Sequence, residues 1–92
     1  MPITQFQINR TVEIAKTYGA TKVLLFGSVL EDINNANDID IGVLGIPDNK
    51  FLEFGGSLDI ELGVQVDVIP LNLNSPFIDY IKKKGKYIYE SR

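Results

Sequence analysis

Asp38 and Asp40 stand two residues apart inside an apolar run, and a Gly-Ser pair, Gly27-Ser28, closes the apolar run before them in "VLLFGSVLEDINNANDIDIGVL", residues 23–44. A carboxylate beside a core costs several kcal/mol of desolvation unless something compensates it. A metal ion, a set of backbone donors or exposure at a strand end would each serve. The period of a strand puts Asp38 and Asp40 on one face, with Ile39 and Ile41 turned to the core behind. A third carboxylate, Asp67, lies in "VQVDVIPL", residues 64–71, on the face opposite Val64, Val66 and Val68. If the two strands are neighbours, three carboxylates converge on one patch. Like charges that close raise each other's pKa, and a divalent cation turns that defect to use. Mg²⁺ takes one or two carboxylates together with waters and substrate phosphates. Gly27-Ser28 follows a strand, where a short helical turn could begin. Backbone N–H groups and a hydroxyl there suit an anion, and glycine lets a phosphate come close. A phosphate site beside a metal site fits a nucleoside triphosphate.

Composition narrows the chemistry. The 92 residues contain no Cys and no His. That removes disulfides, thiolate and imidazole catalysis, and zinc sites built on either. Catalysis must then rest on carboxylates, hydroxyls, Lys, Arg or a bound ion. A net charge of −3 argues against a dedicated nucleic-acid binder. The length predicts one domain over residues 1–92, and a hydrophobic share of 45% is too high for a disordered chain. No apolar run approaches a membrane span of about 20 residues. The opening "MPITQFQINR" has no basic region followed by an apolar core, so no secretory signal is expected and a cytoplasmic location is.

The elements that must position these residues follow from periodicity. Residues 4–18 read as a helix with Phe6, Ile8, Val12, Ile14 and Ala15 as its apolar stripe, Thr4 as its cap and Gly19 at its end. Residues 22–26 and 38–44 read as strands, and 45–49 as a loop. Residues 51–62 fit a helix on Phe51, Leu52, Phe54, Leu58 and Leu62, although Gly55-Gly56 weakens it. Residues 64–71 alternate as a strand. Ser75-Pro76 starts a helix that Gly85 stops, and "KYIYE" ends as an extended piece. The expected fold is α/β or α+β, a small sheet flanked by helices.

Gly-Ser, then nine residues, then "DID", with a later Asp on a strand, resembles the nucleotidyltransferase superfamily of the DNA polymerase beta type. "LLFGS", "DIDIGVL", "VQVDVIPL" and "IKKKGKYIYE" resemble its minimal nucleotidyltransferase (MNT) family, over about Lys22 to Glu90. The resemblance implies that Asp38, Asp40 and Asp67 are catalytic and hold two Mg²⁺ ions. It implies that Gly27 and Ser28 bind the β- and γ-phosphates of ATP, and that AMP or another nucleoside monophosphate passes to an acceptor hydroxyl. It further implies a helical partner of the HEPN class, with this chain as the antitoxin that adenylylates a Tyr of the toxin. The chain departs from the pattern at Val29-Leu30-Glu31-Asp32, where the family often has Arg and then Gly, and at Asn37, where Ser is frequent. A missing Arg weakens the hold on a triphosphate, and Glu31 and Asp32 would repel it if they face the site.

Each feature alone has a plainer reading. Gly-Ser after a strand is usually a turn, Asp-x-Asp an exposed strand end, and Asp67 a solvated strand residue. Their joint occurrence at this spacing carries the site. Lys82, Lys83, Lys84 and Lys86 read as a solvated helix end, favoured by the helix dipole, rather than an RNA surface. Tyr80, Tyr87 and Tyr89 read as cover for a small core or an interface, although they could stack an adenine. Two further functions compete with the transferase: a binding module that neutralises a partner by contact, and a small-molecule nucleotidylating enzyme.

Overall fold

The computed structural model describes residues 3–91. The order is α1 (Gln5–Thr17), β1 (Lys22–Phe26), α2 (Ser28–Glu31), β2 (Asp38–Leu44), α3 (Asp48–Leu62), β3 (Gln65–Pro70), α4 (Pro76–Lys84) and β4 (Lys86–Glu90). The strands form one sheet in the order β3-β2-β1-β4. β1 pairs antiparallel with β2 and with β4, and β2 pairs parallel with β3. Parallel neighbours need a crossover, and α3 is that crossover.

Each face of the sheet has its own core. Val23, Leu25, Ile39, Ile41 and Val43 point to the side covered by α1 and α3, where Ile14, Ala15, Phe54 and Leu58 meet them. Leu24 points to the other side and packs with Leu71, Ile78 and Ile81 beneath α4. Strand alternation thus splits neighbouring residues between two cores. α1 begins with a capping box between Thr4 and Gln7, as Thr4 suggests. Its stripe differs from the expected one: Phe6 is 76% exposed, while Thr11 is fully buried. Thr11 tolerates burial because its hydroxyl donates to the Gln7 carbonyl at 2.8 Å.

α3 starts at Asp48, inside the segment expected to be a loop. Gly55-Gly56 does not break it. Phe54, Leu58 and Leu62 recur every four residues and are buried, and that anchoring outweighs the poor helix propensity of two glycines. Arg10 of α1 pairs with Glu61 of α3 at 3.0 Å, holding the two helices together on their solvent side. α4 is capped by Ser75, whose side chain accepts the Ile78 N–H at 3.1 Å, with Pro76 in its first turn.

Candidate active site

The strand order decides which carboxylates meet. Asp40 and Asp67 are direct partners in the parallel β2–β3 ladder, and Asp38 stands level with Gln65, two residues before that rung. All three lie on the face of the sheet opposite Ile39, Ile41 and Val66, beyond the part that α4 covers. Asp38 and Asp67 are exposed and Asp40 is half-buried. Burial, with the facing charges of Asp67 and then Asp38, pushes the Asp40 carboxyl above the usual carboxylate range. Among the described residues the one ion pair is Arg10–Glu61, so no Lys or Arg neutralises this patch.

The expected three-ligand cage is not preassembled. Among the described residues, no group of three His, Cys, Asp or Glu side chains is close enough to hold an ion. The reason is geometric. Residues two apart on a strand are about 6.6 Å apart, so Asp38 is one pleat from the Asp40–Asp67 rung. Asp40 and Asp67 nonetheless make a hard, two-carboxylate seat. That donor set fits Mg²⁺, which keeps waters and phosphate oxygens in its remaining positions.

Gly27 ends β1 beside this seat. Its φ is +78° and its ψ −156°, a conformation that side chains other than glycine's rarely adopt. A Cβ placed on Gly27 would lie 2.4 Å from Asp40 Oδ2 and 3.2 Å from its Cγ. The glycine is therefore needed twice, for the backbone turn and for the space Asp40 fills. Ser28 opens α2, where the Gly27 carbonyl receives the Leu30 and Glu31 N–H groups at 3.1 and 3.3 Å. The structure thus brings Gly27, Asp40 and Asp67 into one series across the sheet, with Ser28 and Asp38 flanking it.

Two openings adjoin the series. A crevice of about 460 Å³ between α2 and α4 is lined by Gly27, Glu31, Phe77, Tyr80 and Lys84 among others. A groove of about 720 Å³ runs along β3, the free edge of the sheet, and reaches both Asp40 and Asp67. Phe26 and Phe77 border both openings and meet edge to face, ring centres 6.1 Å apart. The crevice holds a residue that sequence reasoning left on the solvent. Lys84 faces the opening that contains Gly27, and only the packing of α4 against the sheet puts it there. Glu31 lines the same crevice. Asp32 instead accepts the Asn35 side-chain amide at 2.6 Å.

A model of the family described as Polymerase beta, Nucleotidyltransferase matches residues 9–92. Solved structures agree on the fold. A toxin–antitoxin structure with AMP-PNP superposes with a TM-score of 0.76 at 23% identity, over 91% of this chain and 73% of that one. A complex of a tri-AMPylated Shewanella oneidensis HEPN toxin with an MNT antitoxin gives 0.74 at 22% identity, over 95% and 72%. A protein assigned as a minimal nucleotidyltransferase gives 0.72 at 20% identity, over 89% of each chain. No curated protein sequence matches this chain significantly.

Proposed function

This chain belongs to the polymerase beta nucleotidyltransferase family, and from that premise we propose that it moves AMP, or another nucleoside monophosphate, from a nucleoside triphosphate to an acceptor hydroxyl. The observation that carries the reading is the series of Gly27, Asp40 and Asp67 across adjacent strands. Asp40 and Asp67, with Asp38 beside them, would hold Mg²⁺. When bound, the metal supplies charge neutralisation on the entering and leaving oxygens. Gly27 and Ser28 receive the β- and γ-phosphates, and Lys84 adds a positive charge on the same side. The acceptor oxygen bonds to the α-phosphorus, the bond to the bridging oxygen of pyrophosphate breaks, and pyrophosphate leaves. Asp67, at the far end of the series, orients the acceptor hydroxyl and takes its proton. The acceptor we propose is a Tyr of a HEPN-type toxin, with this chain as antitoxin. Support comes from the fold it shares with structures of toxin–antitoxin pairs, one carrying AMP-PNP and one with an AMPylated toxin.

The test is incubation with Mg²⁺, α-labelled ATP and a HEPN-type protein, with γ-labelled ATP as control. Label from the α position alone, absent with the Asp38→Ala/Asp40→Ala double variant, is the expected result. Glu31 in the crevice favours a second reading, contact neutralisation by a module with weak or no catalysis. If the double variant still neutralises its partner in full, that second reading replaces the first.

A further inference from the structure

We infer that Gln65 is a positioning residue for the transfer: its side-chain amide holds the Asp67 carboxylate on the rung that Asp67 shares with Asp40. The inference rests on the transfer proposed above. Gln65 Nε2 donates to Asp67 Oδ1 at 3.3 Å. The two residues are spaced by two on β3, so their side chains share one face. Gln65 is also the register partner of Asp38. Asp38 and Asp40 on β2, with Gln65 and Asp67 on β3, are thus the corners of one block of the sheet. Three corners are carboxylates and the fourth is a neutral amide.

The tether answers a need of the site. Asp67 is exposed and lies on an edge strand, so packing does not fix its side chain. Asp40 stands across the rung, and facing like charges push apart. Untethered, the Asp67 carboxylate would swing towards solvent and away from the seat. A donor on its own strand opposes that swing. The amide takes Oδ1 and leaves Oδ2 free to accept a proton or a metal. The residue type matters as much as its place. Lys or Arg at this corner would also hold Asp67, but its charge would oppose the metal and weaken the hold of Asp67 on a proton. Glu would add a fourth like charge one pleat from Asp40. Ser would not span the roughly 6.6 Å between residues two apart on a strand.

The backbone beneath Gln65 is clamped. α3 ends at Gly63, whose N–H donates to the Asp59 carbonyl at 3.1 Å. The Asp59 side chain in turn accepts the Val66 N–H at 3.1 Å. One residue of α3 therefore ties the chain on both sides of Gln65, at the start of an edge strand that would otherwise fray. The amide reaches Asp67 from a fixed point.

The test is steady-state α-label transfer by Gln65→Met, which keeps the length of the side chain and removes the donor. A general base contributes about 100- to 10,000-fold, and one that loses only its tether should forfeit part of this, on the order of 10-fold in kcat. KM for ATP should not change, because Gln65 does not line the crevice on the phosphate side. In an Asp67→Ala background the same change should cost nothing further, since groups that act as a unit are not additive. Nitrogen-15 relaxation of the Gln65 side-chain amide reads the tether without turnover. Its order parameter should exceed about 0.6 in the parent and fall below that in Asp67→Ala. Four results would each overturn the inference. They are a Gln65→Met kcat within roughly 3-fold of the parent, a raised KM in place of a lowered kcat, a further loss in the Asp67→Ala background, and an amide already mobile in the parent. If the parent transfers no label while Asp67 still restrains the amide, the transfer reading falls and takes the role of Gln65 with it. The contact between the two side chains then stands alone.

Discussion

Gly27→Ala is the sharpest perturbation of the site, because one added carbon acts on both backbone and carboxylate. The backbone there has φ +78° and ψ −156°, and holding a residue other than glycine in such a region costs about 1–3 kcal/mol. The new Cβ would also stand 2.4 Å from Asp40 Oδ2, so Asp40 must rotate. Its half-exposed side chain has room to do so, which keeps the steric part small. A total near 2 kcal/mol in a domain of this size lowers the melting temperature by about 8–16 °C. The displaced carboxylate matters more to activity, since a misplacement of about 1 Å costs on the order of 100-fold. Gly63→Ala is the control. Gly63 has φ +68° and ψ +17°, with nothing within 4 Å of an added Cβ. It should lose about 1 kcal/mol, roughly 4–8 °C, and no activity. Melting by circular dichroism and α-label transfer at 25 °C separate the two variants. The reasoning is refuted if Gly27→Ala keeps transfer within roughly 3-fold of the parent, well short of the loss expected of a moved catalytic group.

The raised pKa of Asp40 has a stability consequence. The folded state holds that proton more tightly than the unfolded state, so the penalty is absent below the unfolded value of about 3.9 and complete above the folded value. Asp40→Asn should therefore melt higher than the parent at neutral pH, with the gain vanishing in melts run below about pH 4, while transfer is lost. Mg²⁺ should stabilise the parent by mass action, about 2.7 kcal/mol at roughly 100 times Kd. The effect should be absent in Asp40→Asn/Asp67→Asn, and a parent melting curve indifferent to Mg²⁺ sinks the metal seat. Lys84→Ala should raise KM for ATP roughly 5-fold, about 1 kcal/mol, with kcat unchanged. A KM independent of this change removes Lys84 from the phosphate side.

The local pattern was legible because it is short-range. Alternation put Asp38 and Asp40 on one face, and the Ser75-Pro76 start and the β1 bounds follow from neighbours in sequence. What the chain hid depends on tertiary placement. Nothing in "VQVDVIPL" says that Asp67 will stand beside Asp40 rather than across the sheet; the crossover through α3 decides it. Phe6 and Thr11 exchanged their expected environments because the face of α1 is chosen by what α3 presents. Lys84 looked like one of four lysines, with Lys82, Lys83 and Lys86, at a solvated helix end, and only the approach of α4 to α2 separates it from Lys82 and Lys83.

α3 also explains why one small domain can hold both a charged seat and an opening beside it. Its buried row of Phe54, Leu58 and Leu62 fixes the helix on the sheet, so β3 is delivered parallel to β2 with Asp67 against Asp40. The opposite row, Leu52, Gly56 and Ile60, is then left at the outer edge, next to the carboxylate that the same crossover positioned. Reversing β3 would break both relations at once: an antiparallel β3 would change its partners along β2 and would no longer need a crossover helix. Because β3 is the edge strand, no further strand among the described residues covers the far side of Asp67. The repulsion between Asp40 and Asp67, the exposed apolar row and the open edge therefore have one structural origin, the β2–α3–β3 unit. Stabilising substitutions that neutralise or fill any one of them should draw their stability from the same feature that the proposed chemistry uses.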